Sequence, residues 1–129
     1  MKYRMCLALC ALLCSALSVA DEVSNLRDMA RLSDDHRELT IDCLIEMKID
    51  KAVGWESDEC LKYKHFSANE LQVFKSNIKT ATSAFKVYSK SGNASKNRIK
   101  RGLKQLIIIQ ENMESIGGLS AKIKTESKT

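Results

Sequence analysis

The sequence predicts an all-α protein: a small up-down bundle of three long helices and one short helix, pinned by one disulfide. Three observations carry this expectation. Apolar residues recur at spacings of three and four along almost the whole chain, the period of a helix face. Among 129 residues there is no proline and there are only five glycines, so helix breakers are scarce. Of five cysteines, three lie in the first fourteen residues, which leaves the pair Cys43 and Cys60.

The N-terminal segment, residues 1–20, reads as a secretory signal. Lys2 and Arg4 precede an apolar run from Met5 to Leu17, Ser18-Val19-Ala20 supplies small residues, and Asp21-Glu22 opens a polar chain. The run is shorter than the roughly 20 residues of a spanning helix, and its far flank is acidic. Cleavage after Ala20 removes Cys6, Cys10 and Cys14. The expected product is secreted, or periplasmic in a bacterium, with no transmembrane segment. In that oxidising setting Cys43 and Cys60 form a disulfide. Closing a loop of this size stabilises a chain by about 3 kcal/mol in the chain-entropy treatment. A zinc site on His36, Cys43, Cys60 and His65 is rejected, because His36 and Cys43 stand two helical turns apart, a rise of about 10 Å.

The bundle domain is expected over residues 21–118. The first helix starts at Asp21 and reaches Asp50 or just beyond. Met29, Leu32, His36, Leu39, Cys43 and Met47 fall on one stripe. Ser33-Asp34-Asp35 offers a possible break and Gly54 a stop. A short helix follows at about Asp58 to Tyr63, capped by Ser57, and carries Cys60 back to Cys43. Trp55, between the two cysteines, is expected to plug the core over the disulfide.

The third element opens on a capping box, Ser67-Ala68-Asn69-Glu70, with Phe66 and Leu71 placed as a hydrophobic staple. Leu71, Phe74, Ile78, Ala81, Phe85 and Tyr88 then form a heptad-type seam that ends at Gly92. The last helix is expected from Ser95 to Ile116. Its seam is Ile99, Gly102, Leu106, Ile109, Met113 and Ile116, widened by Leu103, Ile107 and Ile108. Gly117-Gly118 closes it, and residues 119–129 are read as a flexible basic tail. The apolar run Leu106 to Ile109 implies a central position in the bundle or a surface half-buried against another molecule. The seams also offer a route to a homodimer.

Charge is unevenly laid out. Residues 21–60 hold twelve acidic and five basic side chains, whereas residues 90–129 hold nine basic and three acidic. An acidic first helix against basic later helices accounts for part of this. Lys96, Arg98, Lys100, Arg101 and Lys104 remain conspicuous, because they gather at a helix N-terminus, where the dipole disfavours cations. They are the candidate partner-binding residues, and the expected partner is a protein or an anionic glycan or lipid surface. Nucleic acid is not expected, given export and the lack of aromatic residues among the basic ones. No cofactor, metal or catalytic residue is expected, because there is no phosphate loop, nucleophile elbow or metal-ligand quartet.

The reading is therefore an exported, non-enzymatic helical binding protein. Alternatives are a precursor releasing a cationic membrane-active peptide after Arg101, an extracellular carrier of a small apolar ligand, and a periplasmic inhibitor or immunity-type protein. The precursor reading rests on Arg98-Ile99-Lys100-Arg101, which resembles a dibasic convertase site. Asn93-Ala94-Ser95 is also a glycosylation sequon.

Overall fold

Heptad-spaced apolar residues need partner helices, and the chain supplies them as three rods joined by two brief connections. The computed structural model describes residues 22–128; the export signal read over residues 1–20 lies outside them. Helix α1 spans Glu22–Ile49 and α2 is the short Lys51–Trp55. Helix α3, Asp58–His65, passes through a π-helical turn, Phe66–Glu70, directly into α4, Leu71–Ser89. Helix α5, Lys96–Lys128, is the longest at 33 residues, about 50 Å. The fold is all-α, an up-down-up bundle in which α3 and α4 make one rod.

The first and last rods run parallel. Ala30 shares a core cluster with Ile109, Asn112 is bonded to Ser33, and Lys48 pairs with Glu126. Helix α5 packs along most of α1 and makes much sparser contact with α4. The buried face of α1 is Leu26, Ser33, Thr40 and Met47, one residue every seven, joined by Val23, Ala30 and Cys43. This corrects the stripe expected through Leu32, which faces solvent. Ala30, Ser33 and Thr40 are small, so α5 can approach closely there. The two hydroxyls donate to the Ala30 and His36 carbonyls within the helix, which removes the cost of burying them and leaves no break at Ser33.

The capping box is not formed. Phe66 and Phe74 both enter the core, yet they lie eight residues apart, one more than two regular turns of a heptad seam. The π turn absorbs the extra residue. Asn69 Nδ2 donates to the His65 carbonyl at 3.1 Å inside this turn. Ser67 therefore caps nothing, and Phe66 stacks on His36 instead of stapling to Leu71.

The other local signals are resolved as follows. Ser57 does cap α3, accepting from the Cys60 N–H at 3.3 Å. Gly54 is no stop; it is buried inside α2, where a Cβ would overlap the α1 backbone at Glu46 and Met47. Cys43 and Cys60 form the expected disulfide, with S–S 2.03 Å. Around it lie Met47, Tyr63 and Ile123, with Trp55 half-buried on top and the Lys64 ammonium 4.0 Å from the Trp55 ring.

The expected tail is also corrected. Helix α5 runs through Gly117 and Gly118 to Lys128. Gly102, Ile109, Ile116 and Ile123 are buried at strict seven-residue intervals, so the seam continues past the glycines. Burial of Ile116 and Ile123 is worth about 2 kcal/mol each, which exceeds the combined propensity cost of about 2 kcal/mol for the two helical glycines. Among the described residues no helix is long and apolar enough to cross a membrane.

Candidate functional site

The five basic residues singled out at the start of α5 do not form one surface. Lys100, Arg101 and Lys104 project from the outer face and, with Asn97, line a shallow recess. Arg98 turns inward, its guanidinium 5.2 Å from the Tyr88 ring of α4, and so helps join the two helices. Lys96 lies by helical spacing at the border of that outer face, in line with Lys100, Leu103 and Ile107 and away from Arg101. The Arg101–Gly102 bond is inside the helix, and Gly102 is buried where a Cβ would overlap the Phe85 ring.

A larger basic region emerges once α4 and α5 are seen as a hairpin. From Leu71 to Gln110 there are nine lysines and arginines and no aspartate or glutamate. This stretch is all of α4, the connecting loop and the first half of α5, and it makes up one end of the bundle. In the sequence only the α5 share stands out as a cluster; the α4 share shows as an excess of five basic residues over one acidic between Leu61 and Ser89. That α4 share, Lys75, Lys79 and Lys86, is dispersed in sequence but falls on one face of α4, with Thr82 between them.

That face borders an apolar groove. Helices α4 and α5 are splayed along their middles and leave a depression of about 530 Å³ between them. Its lining is Ile78 and Thr82 from α4, and Leu106, Ile109, Gln110, Met113 and Glu114 from α5. Next to it on α5, Leu103 and Ile107 stay 51 % and 54 % exposed. These two were expected to widen the seam inside the bundle; they face solvent instead, because by helical spacing they turn away from the buried line of Gly102, Ile109 and Ile116. Of the alternatives the sequence left for Leu106 to Ile109, a fully central position is therefore excluded.

Along α5 the groove edge reads Lys96, Lys100, Leu103, Ile107, Gln110 and Glu114, at alternating spacings of four and three. The opposite edge, on α4, reads Lys75, Lys79, Thr82 and Lys86. The result is an apolar floor with a lysine-rich rim on α4 and an α5 rim whose two lysines stand at the loop end and whose Glu114 stands at the other. Alongside α4, α1 contributes Glu22, Asp28, Asp34 and Asp35 against Arg27, Arg31 and Arg37, a single net negative charge that leaves the basic excess of α4 and α5 standing.

His36 is not part of this surface. Its ring is stacked on Phe66, with centroids 4.1 Å apart, and meets Phe74 edge-on at 4.9 Å. Burial holds its pKa below the usual histidine value, against the opposing pull of Glu70 and Asp35. Its Nδ1 has no hydrogen-bond partner. His65 sits on the exterior, with Nε2 3.4 Å from Glu70. No cluster of three potential metal ligands occurs among the described residues. Asn93 is exposed in the loop between α4 and α5.

Comparison with protein-family models, with curated proteins and with solved structures returns no match.

Proposed function

We propose that this is an exported, non-enzymatic binding protein that engages an anionic protein partner through the α4–α5 end of its bundle. One observation carries the reading: forty consecutive residues, Leu71 to Gln110, hold nine basic side chains and no acidic one, folded into a single end of the molecule. Such a concentration of one sign raises the local density of opposite charge and speeds encounter with it. Export is supported by the signal pattern of residues 1–20, and the buried disulfide is compatible with it.

The peptide-precursor reading has less support, because cleavage after Arg101 would cut a helix at a buried glycine. The carrier reading has less support because the apolar depression is a groove bordered by charge and open to solvent.

Poly-L-glutamate is a suitable probe of the electrostatic reading. Replacing Lys79, Lys86 and Lys100 with glutamine is expected to weaken its binding at least tenfold at low salt. Replacing Lys122, Lys124 and Lys128, at the far end of α5, is expected to have little effect. Equal losses from both triple variants overturn the proposal.

A further inference from the structure

We infer that the groove between α4 and α5 is the seat of a fourth helix, an amphipathic and acidic segment of the partner protein. The inference rests on the charge reading above and adds the form of what binds.

The first argument is shape. Two antiparallel helices splayed over a shared apolar floor leave the position that a fourth helix takes in a four-helix bundle. Helix-in-groove recognition uses such a site, with apolar anchors at every third and fourth residue. The anchors already present are Ile78, Leu106 and Met113 in the floor, and Leu103 and Ile107 at its edge.

The second argument is charge. Lys75, Lys79 and Lys86 line one rim and Lys96 and Lys100 extend the other toward the α4–α5 loop, while Glu114 stands at the far end of the lining, so a helix lying between them needs acidic flanks along the part that faces the lysines. The same arithmetic excludes a symmetric second copy, since like rims would face one another. A homodimer through this seam is therefore disfavoured.

The third argument is depth. Ile109 is 2 % exposed and forms part of the floor, below the lysine-bearing face of α4 on one side and the exposed Leu103 and Ile107 of α5 on the other. A flat bilayer can meet the lysines but cannot reach that floor, whereas the ridge of a helix can.

The test uses the chain from Asp21 onward and a synthetic peptide of about three heptads, with Leu at a and d and Glu at e and g. Three controls accompany it: a version with Lys at e and g, a version with Ser at a and d, and phosphatidylserine vesicles. The Leu–Glu peptide is expected to bind at least tenfold more tightly than either variant peptide, and to slow amide exchange in α4 and the first half of α5. The double substitution Leu103→Ser with Ile107→Ser alters exposed residues only. It is expected to cost the peptide at least tenfold in affinity while leaving poly-L-glutamate binding unchanged.

If the serine-substituted peptide binds as well, or the double variant loses nothing, the groove is not used. The electrostatic reading then survives without it. If vesicles displace the Leu–Glu peptide and protect the same amides, a lipid surface replaces the helix as occupant. If neither peptide nor poly-L-glutamate responds to the lysine substitutions, both readings fall.

Discussion

Asn112 donates a hydrogen bond to Ser33 Oγ at 3.0 Å in the buried contact between α1 and α5, and Ser33 donates in turn to the Ala30 carbonyl at 2.7 Å. A polar pair bonded across a largely apolar seam sets which residues of two parallel helices stand level. Asn112→Ala removes one bond and leaves a void, and is expected to cost about 1–3 kcal/mol. The measurement is the urea midpoint at unchanged slope. A variant as stable as the parent would show that the pair adds nothing to the seam.

The glycines of α5 should respond in opposite directions. Gly102→Ala drives a methyl into the Phe85 ring and is expected to destabilise by about 1–3 kcal/mol despite the better helix propensity of alanine. Phe85→Leu in the same chain should recover part of that loss. Gly117→Ala meets open space in mid-helix and is expected to stabilise by about 0.5–1 kcal/mol. Thermal melts of the two single variants decide this, and destabilisation by Gly117→Ala would contradict a helix continuous to Lys128.

Acid should loosen the His36 box. The folded-state pKa of His36 lies below its ordinary 6.5, so the fold favours the neutral ring. Its contribution is complete above the unfolded-state value near 6.5 and is lost as pH falls toward and through the lower folded-state value. Denaturation midpoints from pH 7.5 to 5 should fall in the parent, and fall less in His36→Phe. Glu70 and Asp35 soften the effect without reversing its sign.

Limited trypsin digestion should begin in the loop rather than at the dibasic stretch. Lys90 is exposed just beyond α4, whereas Arg101 is inside α5. The first products expected are fragments divided near Lys90. Early appearance of the 102–129 peptide would revive the precursor reading.

Sequence spacing made much of this architecture legible. The Leu71 to Tyr88 seam, the Ser57 cap and the Cys43–Cys60 pair are set by neighbours in the chain or by simple pairing. Three features escaped because tertiary packing overrode a local signal. Ser67 to Glu70 looks like a helix start, but Phe66 and Phe74 both gain more from the core than a cap supplies, and the backbone yields by one π turn. Gly117-Gly118 looks like a stop, but Ile123 draws the helix onward. The face of α1 is marked by Ala30, Ser33 and Thr40, which hydrophobicity alone does not highlight. The groove was hidden for another reason. Spacing says which residues share a face, and it does turn Leu103 and Ile107 away from the Ile109 line, but it says nothing about how closely α4 packs on Leu106 and Met113, so the depression itself had no signature.

The disulfide, the buried Ile123 and the Lys48–Glu126 pair all lie at one end of the bundle, remote from the α4–α5 loop. Rigidity should therefore be graded along the long axis. Amides around Cys43 and Ile116 should exchange only through global unfolding, and those flanking Lys90 through small local openings. The covalent crosslink thus lies away from the α4–α5 end, where partner binding is proposed. It anchors the opposite end, around Met47, Tyr63 and Ile123.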